Sequence, residues 1–355
     1  MNPLIDQTAA VRPGEELPLD KVRDFLVEAI PGIQGEIAVE QFPAGHSNLT
    51  YLLKVGGREL VLRRPPFGSK VKTAHDMGRE FRIFRALHPV YSRVPKPLAF
   101  CEDESIIGAR FYVMEPIRGL ILRKELPAGL DFSPAVVDRL CESFIQNLAD
   151  LHAVDYRAVG LDQMGKPEGY LQRQVDGWAG RYTGSQTDDI PEISRVIPWL
   201  KANLPASPAA TLVHNDYKYD NLILDPDDIT KIIGVLDWEM STIGDPLADL
   251  GGALGYWVQA DDPDELKAQA FGPTFAPGSW TRRHLAERYA ELTGRDISNI
   301  HYYTCFAAFR IAVIIQQIYY RFNQGLTRDE RFGPLINMVK LLARVADELI
   351  KRGEI

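Results

Sequence analysis

The chain has 355 residues, 45% of them hydrophobic and 25% charged, enough for a large buried core and ordinary for a globular protein. A formal net charge of −8 argues against general nucleic-acid or anionic-membrane binding, because phosphate surfaces reward clustered Lys and Arg. Three widely spaced cysteines, Cys101, Cys141 and Cys305, include no Cys-x-x-Cys pair; this argues against a disulfide scaffold or a zinc site and for free thiols.

Residues 1–18 read as a loose arm, with no basic segment followed by an apolar one, so no signal peptide is expected. Helical spacing predicts a helix over 19–30, ended by Pro31-Gly32. Strands are predicted at 37–42, 50–55 and 58–64, with a turn at 43–48 and a tight Gly56-Gly57 turn between the last two. Strand alternation puts Arg63 and Arg64 on opposite faces, with Arg64 read as a solvated surface residue. Met77, Phe81, Phe84 and Leu87 form one helical stripe within 74–87, and Glu80 sits beside it. Strands at 96–101 and 109–114 follow, then Glu115-Pro116-Ile117-Arg118-Gly119, a linker or a plain strand exit.

The second part is predicted mostly helical, over 133–153, 170–181 and 193–204 and, after residue 250, in a region starting at 253 and over 263–270, 281–293, 298–322 and 334–350. Cys305 lies in an apolar helical pattern and reads as a packed core thiol. The longest apolar run, near 311–318, is broken by Gln316 and Gln317 and is too short to span a bilayer, so a cytoplasmic protein is expected. No internal repeat is present, and no feature specifies an oligomeric state.

Between these helical parts lies the stretch that carries chemistry, His214-Asn215-Asp216-Tyr217-Lys218-Tyr219-Asp220-Asn221. A turn-rich segment at 225–228 follows, then an apolar strand ending in Leu236-Asp237-Trp238-Glu239, then Gly244-Asp245-Pro246-Leu247-Ala248-Asp249-Leu250. Asp216 can accept the proton of a hydroxyl under attack on a phosphoryl group. Asn221 and Asp237 offer the oxygen ligands that a hard cation such as magnesium takes. A hairpin brings the two ligands together, and such positioning and charge neutralisation are most of what phosphoryl transfer needs.

His214 to Asn221 resembles the catalytic loop of the aminoglycoside phosphotransferase-like, kinase-like family. The segments at Asp237 and at Gly244–Leu250 resemble that family's next two signatures, and the resemblance extends over nearly the whole chain. The branch suggested is the one related to the kinase domain fused to acyl-CoA dehydrogenases. The resemblance implies an α+β, bilobal protein-kinase-like fold. It has a small N-terminal antiparallel-sheet lobe with one main helix (1–114), a hinge (115–119) and a larger, mostly helical lobe (120–355).

It also implies a set of site residues. Asp216 would be the catalytic base, with Lys218 neutralising charge on the transferring group, and Asn221 and Asp237 would ligate Mg2+. ATP would be held by Ser47 and Asn48 in the first turn, by Arg63 fixed by Glu80, and by the Glu115 carbonyl and Ile117 N–H at the hinge. His214 and Asp249 would brace the loop, Asp245 would cap the following helix, and Glu239 would support the metal ligands. Asn215 stands where the family usually has Gly or Arg. Tyr217, Trp238, Trp257, Tyr303 and Arg310 are candidate walls for the acceptor.

The function implied is magnesium-dependent transfer of the ATP γ-phosphate to a small-molecule hydroxyl, such as a hydroxyacyl-CoA. Aminoglycoside-, choline- or homoserine-type acceptors stay open, as does a nucleotide-binding module without catalysis. The absence of Asp-Phe-Gly and Ala-Pro-Glu segments disfavours a protein kinase.

Overall fold

A computed structural model describes residues 7–43, 48–67, 76–206, 209–327 and 329–355. They fall into two compact units, one of residues 1–121 with 221–239, the other of 122–220 with 240–355. The division is not linear: the segment 221–239, which the sequence reading placed in the second part, packs with the N-terminal unit.

In the first unit, helix α1 (Leu19–Ala29) precedes strands β1 (Ile37–Gln41), β2 (Leu49–Val55) and β3 (Arg58–Arg64). Helix α2 (Met77–Leu87) and strands β4 (Pro97–Cys101) and β5 (Phe111–Met114) complete a five-stranded antiparallel sheet of order β1-β2-β3-β5-β4. Gly56 and Gly57 both have positive φ, which a two-residue hairpin turn of this hand requires. Alternation along β2 and β3 sends Tyr51, Leu53, Leu60 and Leu62 to one face, where Val22 and Leu26 of α1 pack on them. Phe81 and Phe84 of α2 pack against Phe100 and Tyr112. Strands β6 (Thr211–Val213), β7 (Leu222–Leu224), β8 (Ile232–Val235) and β9 (Thr242–Gly244) form two short pairs, β7 with β8 in the first unit and β6 with β9 in the second.

The second unit is otherwise helical: α3 (Pro134–His152), α4 (Tyr170–Ser185), α5 (Pro191–Ala202), α6 (Pro246–Tyr256), α7 (Asp264–Lys267), α8 (Arg282–Thr293), α9 (Ile300–Asn323) and α10 (Leu335–Arg352). α6 begins at Pro246, earlier than the sequence reading placed it. Asp245 caps it by accepting from the Leu247 N–H at 2.9 Å, and Pro246 occupies the first turn, where its missing N–H costs nothing. The predicted 263–270 helix shrinks to the single turn of α7. α9 is buried almost all round through Val313 and packs closely on α6: a Cβ at Gly251 would lie 2.6 Å from that of Tyr303. All three cysteines are free and buried. Among the described residues no helix is long and apolar enough to cross a membrane.

One ion pair ties α5 to α10. Arg195 grips both oxygens of the nearly buried Asp347 at 3.0 and 2.8 Å, and Lys351 adds a third contact at 2.7 Å. The Arg195 hydrogen bond, against some burial, lowers the carboxyl from its ordinary 3.8 to about 2. A carboxylate with a depressed folded-state pKa adds stability above its unfolded pKa and loses it as pH falls through the folded value. Asp347→Asn is therefore expected to cost about 1 kcal/mol at pH 7, a small figure because Arg195 is half-exposed. In thermal melts run from pH 7 downward, the gap to the parent should narrow between about pH 4 and pH 2.

Candidate active site

Asp216 reaches its position through the loop that leaves β6. His214 is fully buried, and Asp249 on α6 takes the His214 and Asn215 N–H groups on its two oxygens at 2.6 and 2.7 Å. His152 contacts the same carboxylate at 3.1 Å and Tyr289 at 2.6 Å. Burial pushes the Asp249 carboxyl up, but the His152 hydrogen bond and the neighbouring imidazoles outweigh it and hold it below the ordinary range. The loop thus hangs on a buried carboxylate, and the Asp216 N–H closes the turn onto His214 Nδ1 at 3.2 Å.

The structure gives Asn215 the physical account that its sequence position lacks. Its φ is 67°, in the left-handed region that Gly, Asn and Asp tolerate. Its side chain accepts from the Tyr170 hydroxyl at 3.0 Å and donates to the Met240 carbonyl at 3.0 Å, while its carbonyl accepts from Arg310 at 2.7 Å. Asn215→Ala combines backbone strain with lost hydrogen bonds and is expected to destabilise by about 2–3 kcal/mol in chemical denaturation. Asn215→Gly keeps the backbone preference and should cost less.

At the loop's tip Lys218 Nζ donates to both Asp216 oxygens, at 3.1 and 2.9 Å, and lies 3.9 Å from Asp220. The Tyr256 hydroxyl also hydrogen-bonds Asp216. Asp220 itself is pushed up to about 6 by burial, more than Lys218 and Arg123 pull it down. A small concavity opens here, lined by Phe144, Lys218, Tyr219, Tyr256, Trp257 and Phe271.

Of the expected acceptor walls, only Trp257 lines this space. Tyr217 is buried against Phe144 and Asn147, Tyr303 bonds Asp245, Arg310 bonds the Asn215 carbonyl, and Trp238 packs on Phe84 and Tyr91. Each is core because its polar tip already has an internal partner or its ring is covered. Phe144, Tyr256 and Phe271 were missed: they are far apart in sequence, and only the helical spacing of Phe144 carried a signal.

In the first unit Arg63 projects from β3 between two carboxylates. It lies 3.3 Å from Glu80 of α2 and 3.1 Å from Asp237, which follows β8. Burial disfavours its charge, but Glu80, then Tyr112 and Asp237, more than offset this and raise its pKa. Tyr112 donates to the other Glu80 oxygen at 2.7 Å. Arg64 is not solvated as expected. It is 2% exposed and donates to the Ile107 carbonyl at 3.0 Å, because the opposite face of β3 is also covered. Asn48 donates to Glu239 at 3.2 Å, and its own amide oxygen is buried without a hydrogen-bond partner among the described residues. Ser47 falls outside the described residues. The Glu115 N–H donates to the Lys96 carbonyl at 2.9 Å, and Ile117 sends its side chain toward Gly234.

The Asn221 carbonyl accepts from the Leu236 N–H at 2.8 Å, which ties the two ends of the hairpin together. Asp237 has a φ of 64°, the second non-glycine residue with positive φ among those described. Its carboxylate and the Asn221 amide are hard oxygen donors of the kind magnesium takes. Among the described residues no cluster of three or more His, Cys, Asp or Glu could hold a metal ion. Two protein donors suit a magnesium that shares its coordination with nucleotide phosphates and water rather than an all-protein cage.

Comparison with known proteins identifies the family and the fold. The model of the APH family, the phosphotransferase enzyme family, matches residues 38–286. Mouse acyl-CoA dehydrogenase family member 10 is 36% identical over 90% of this chain, which spans only 30% of that protein's length. A crystal structure from Ralstonia eutropha, of a protein classed as an aminoglycoside phosphotransferase, is 32% identical with a TM-score of 0.82, covering 95% of this chain and 99% of its own. A thermostable mutant of an aminoglycoside phosphotransferase, in ternary complex with ADP and hygromycin B, shares the fold at 16% identity and a TM-score of 0.58, covering 93% of this chain and 98% of its own. The mixed α+β, kinase-like fold expected from the sequence is the fold these structures have.

Proposed function

This chain belongs to the phosphotransferase enzyme family, and from that premise we propose that it moves the γ-phosphate of ATP to a hydroxyl of a small molecule. One observation carries the reading. Asp216 stands on a loop pinned at two consecutive N–H groups by Asp249, with the Lys218 ammonium on its carboxylate. A rigidly held carboxylate is suited to take the acceptor's proton, and a lysine beside it to offset charge on the group in transfer.

The remaining roles follow residue by residue. Arg63, oriented by Glu80, engages the nucleotide phosphates, with Asn48 and Ser47 contributing from the first turn. The Glu115 carbonyl and Ile117 N–H take the adenine. Asn221 and Asp237 hold magnesium, which when bound neutralises phosphate charge. Glu239, bonded to Asn48, supports that region.

For the acceptor, similarity to proteins named as acyl-CoA dehydrogenase family members favours a hydroxyacyl-CoA or similar metabolite over an aminoglycoside, choline or homoserine. The test is a phosphorylation screen with labelled ATP and magnesium over hydroxyacyl-CoAs, amino alcohols and aminoglycosides. Label is expected on a hydroxyacyl compound. Magnesium-dependent ATP binding with transfer to none of them would favour a binding module instead.

A further inference from the structure

The walls beside Asp216 have the composition of an ammonium-binding cage, yet the chain fills that cage itself. Lys218 Nζ sits 4.7 Å from the ring centroid of Tyr256 and 5.8 Å from that of Phe271, within cation–π range of both. Tyr256 and Phe271 meet edge to face at 5.2 Å. Phe144, Tyr219 and Trp257 form a second cluster with centroids 5.0 to 5.4 Å apart. Lys218 is only 17% exposed and carries hydrogen bonds to both Asp216 oxygens, so it is fixed in place. Burial opposes its charge, but Asp216, Tyr256 and Asp220 more than compensate and keep it protonated.

The two carboxylates do not leave room for a second cation. Asp216 is matched by Lys218, whose ammonium also lies 3.9 Å from Asp220. An incoming ammonium would find the aromatic faces engaged and a like charge close by. A neutral alcohol meets no such penalty, and an anionic one is attracted.

We propose that Lys218 is a tethered cation that occupies an aromatic cage beside Asp216 and so makes the acceptor site reject ammonium-bearing alcohols in favour of neutral or anionic ones. This specificity role rests on the phosphotransferase reading only in calling the occupant of the site an acceptor.

The experiment probes the cage directly with tetramethylammonium, by calorimetry at low ionic strength, on the whole chain. The Lys218→Ala protein, with a parent-like melting temperature, should bind it at least about tenfold more tightly than the parent or Lys218→Arg. Lys218→Gln, which keeps most of the stem, serves if the alanine variant does not fold. Equal binding by all of them, or no binding by a folded Lys218→Ala or Lys218→Gln, overturns the proposal. In the parent, choline and its neutral isostere 3,3-dimethylbutan-1-ol are compared as ligands, and tighter binding of choline also overturns it. Magnesium-dependent ATP binding is measured on the parent: its absence would sink the kinase reading while the cage result stood.

Discussion

Asp216→Asn is expected to lower turnover by about 10²-fold or more while leaving ATP affinity nearly unchanged. The substitution keeps size and hydrogen-bonding shape but removes the carboxylate that accepts a proton. The loop's position does not depend on that charge. It depends on Asp249, which holds the His214 and Asn215 N–H groups, and on the closure of the Asp216 N–H onto His214. The amide would still sit beside Lys218 Nζ, although one of the two short contacts, at 2.9 and 3.1 Å, would lose its acceptor. Steady-state rates with the acceptor found by the screen, together with nucleotide titration, separate the two quantities. Unchanged turnover would remove Asp216 as the base, and a parallel loss of ATP binding would mean that the loop has a nucleotide-holding role.

Asp237→Ala is expected to abolish the magnesium-dependent part of nucleotide binding. Asp237 supplies the hairpin's carboxylate donor, and Arg63 is the cation that it and Glu80 hold between them. Without it Arg63 keeps the nearly buried Glu80, so magnesium-independent phosphate contact should survive. Alanine also strains a backbone whose φ is 64°, at a cost of about 1–2 kcal/mol. Asp237→Asn is the companion that tolerates that backbone and removes only the charge. Calorimetric titration of magnesium into each protein with ATP present is the measurement. A parent-like magnesium response in both variants would count against Asp237 as a ligand.

Much of the molecule was legible from neighbours in sequence. Strand alternation, the helix stripe at Met77, Phe81, Phe84 and Leu87, the Gly56-Gly57 turn and the Asp245-Pro246 cap are local signals, and the elements they mark are present. The Asp-x-x-x-x-Asn spacing followed by a second acid suggests phosphoryl transfer because a base and oxygen donors must be particular residue types. The stretch Leu122 to Asp131 forms no regular element.

The sequence by itself therefore determined which residue types are available for proton transfer and metal binding, and the periodicity of the elements that carry them. Tertiary structure alone decided which aromatic rings line the concavity, that Arg64 is buried, that residues 221–239 join the N-terminal unit, and that Asn215 adopts a left-handed backbone under three hydrogen bonds. The reason is physical. Periodicity and turn chemistry follow from a residue and its near neighbours. Burial and partner choice depend on which faces meet across long sequence separations, as when Lys218 settles over Tyr256 and Phe271.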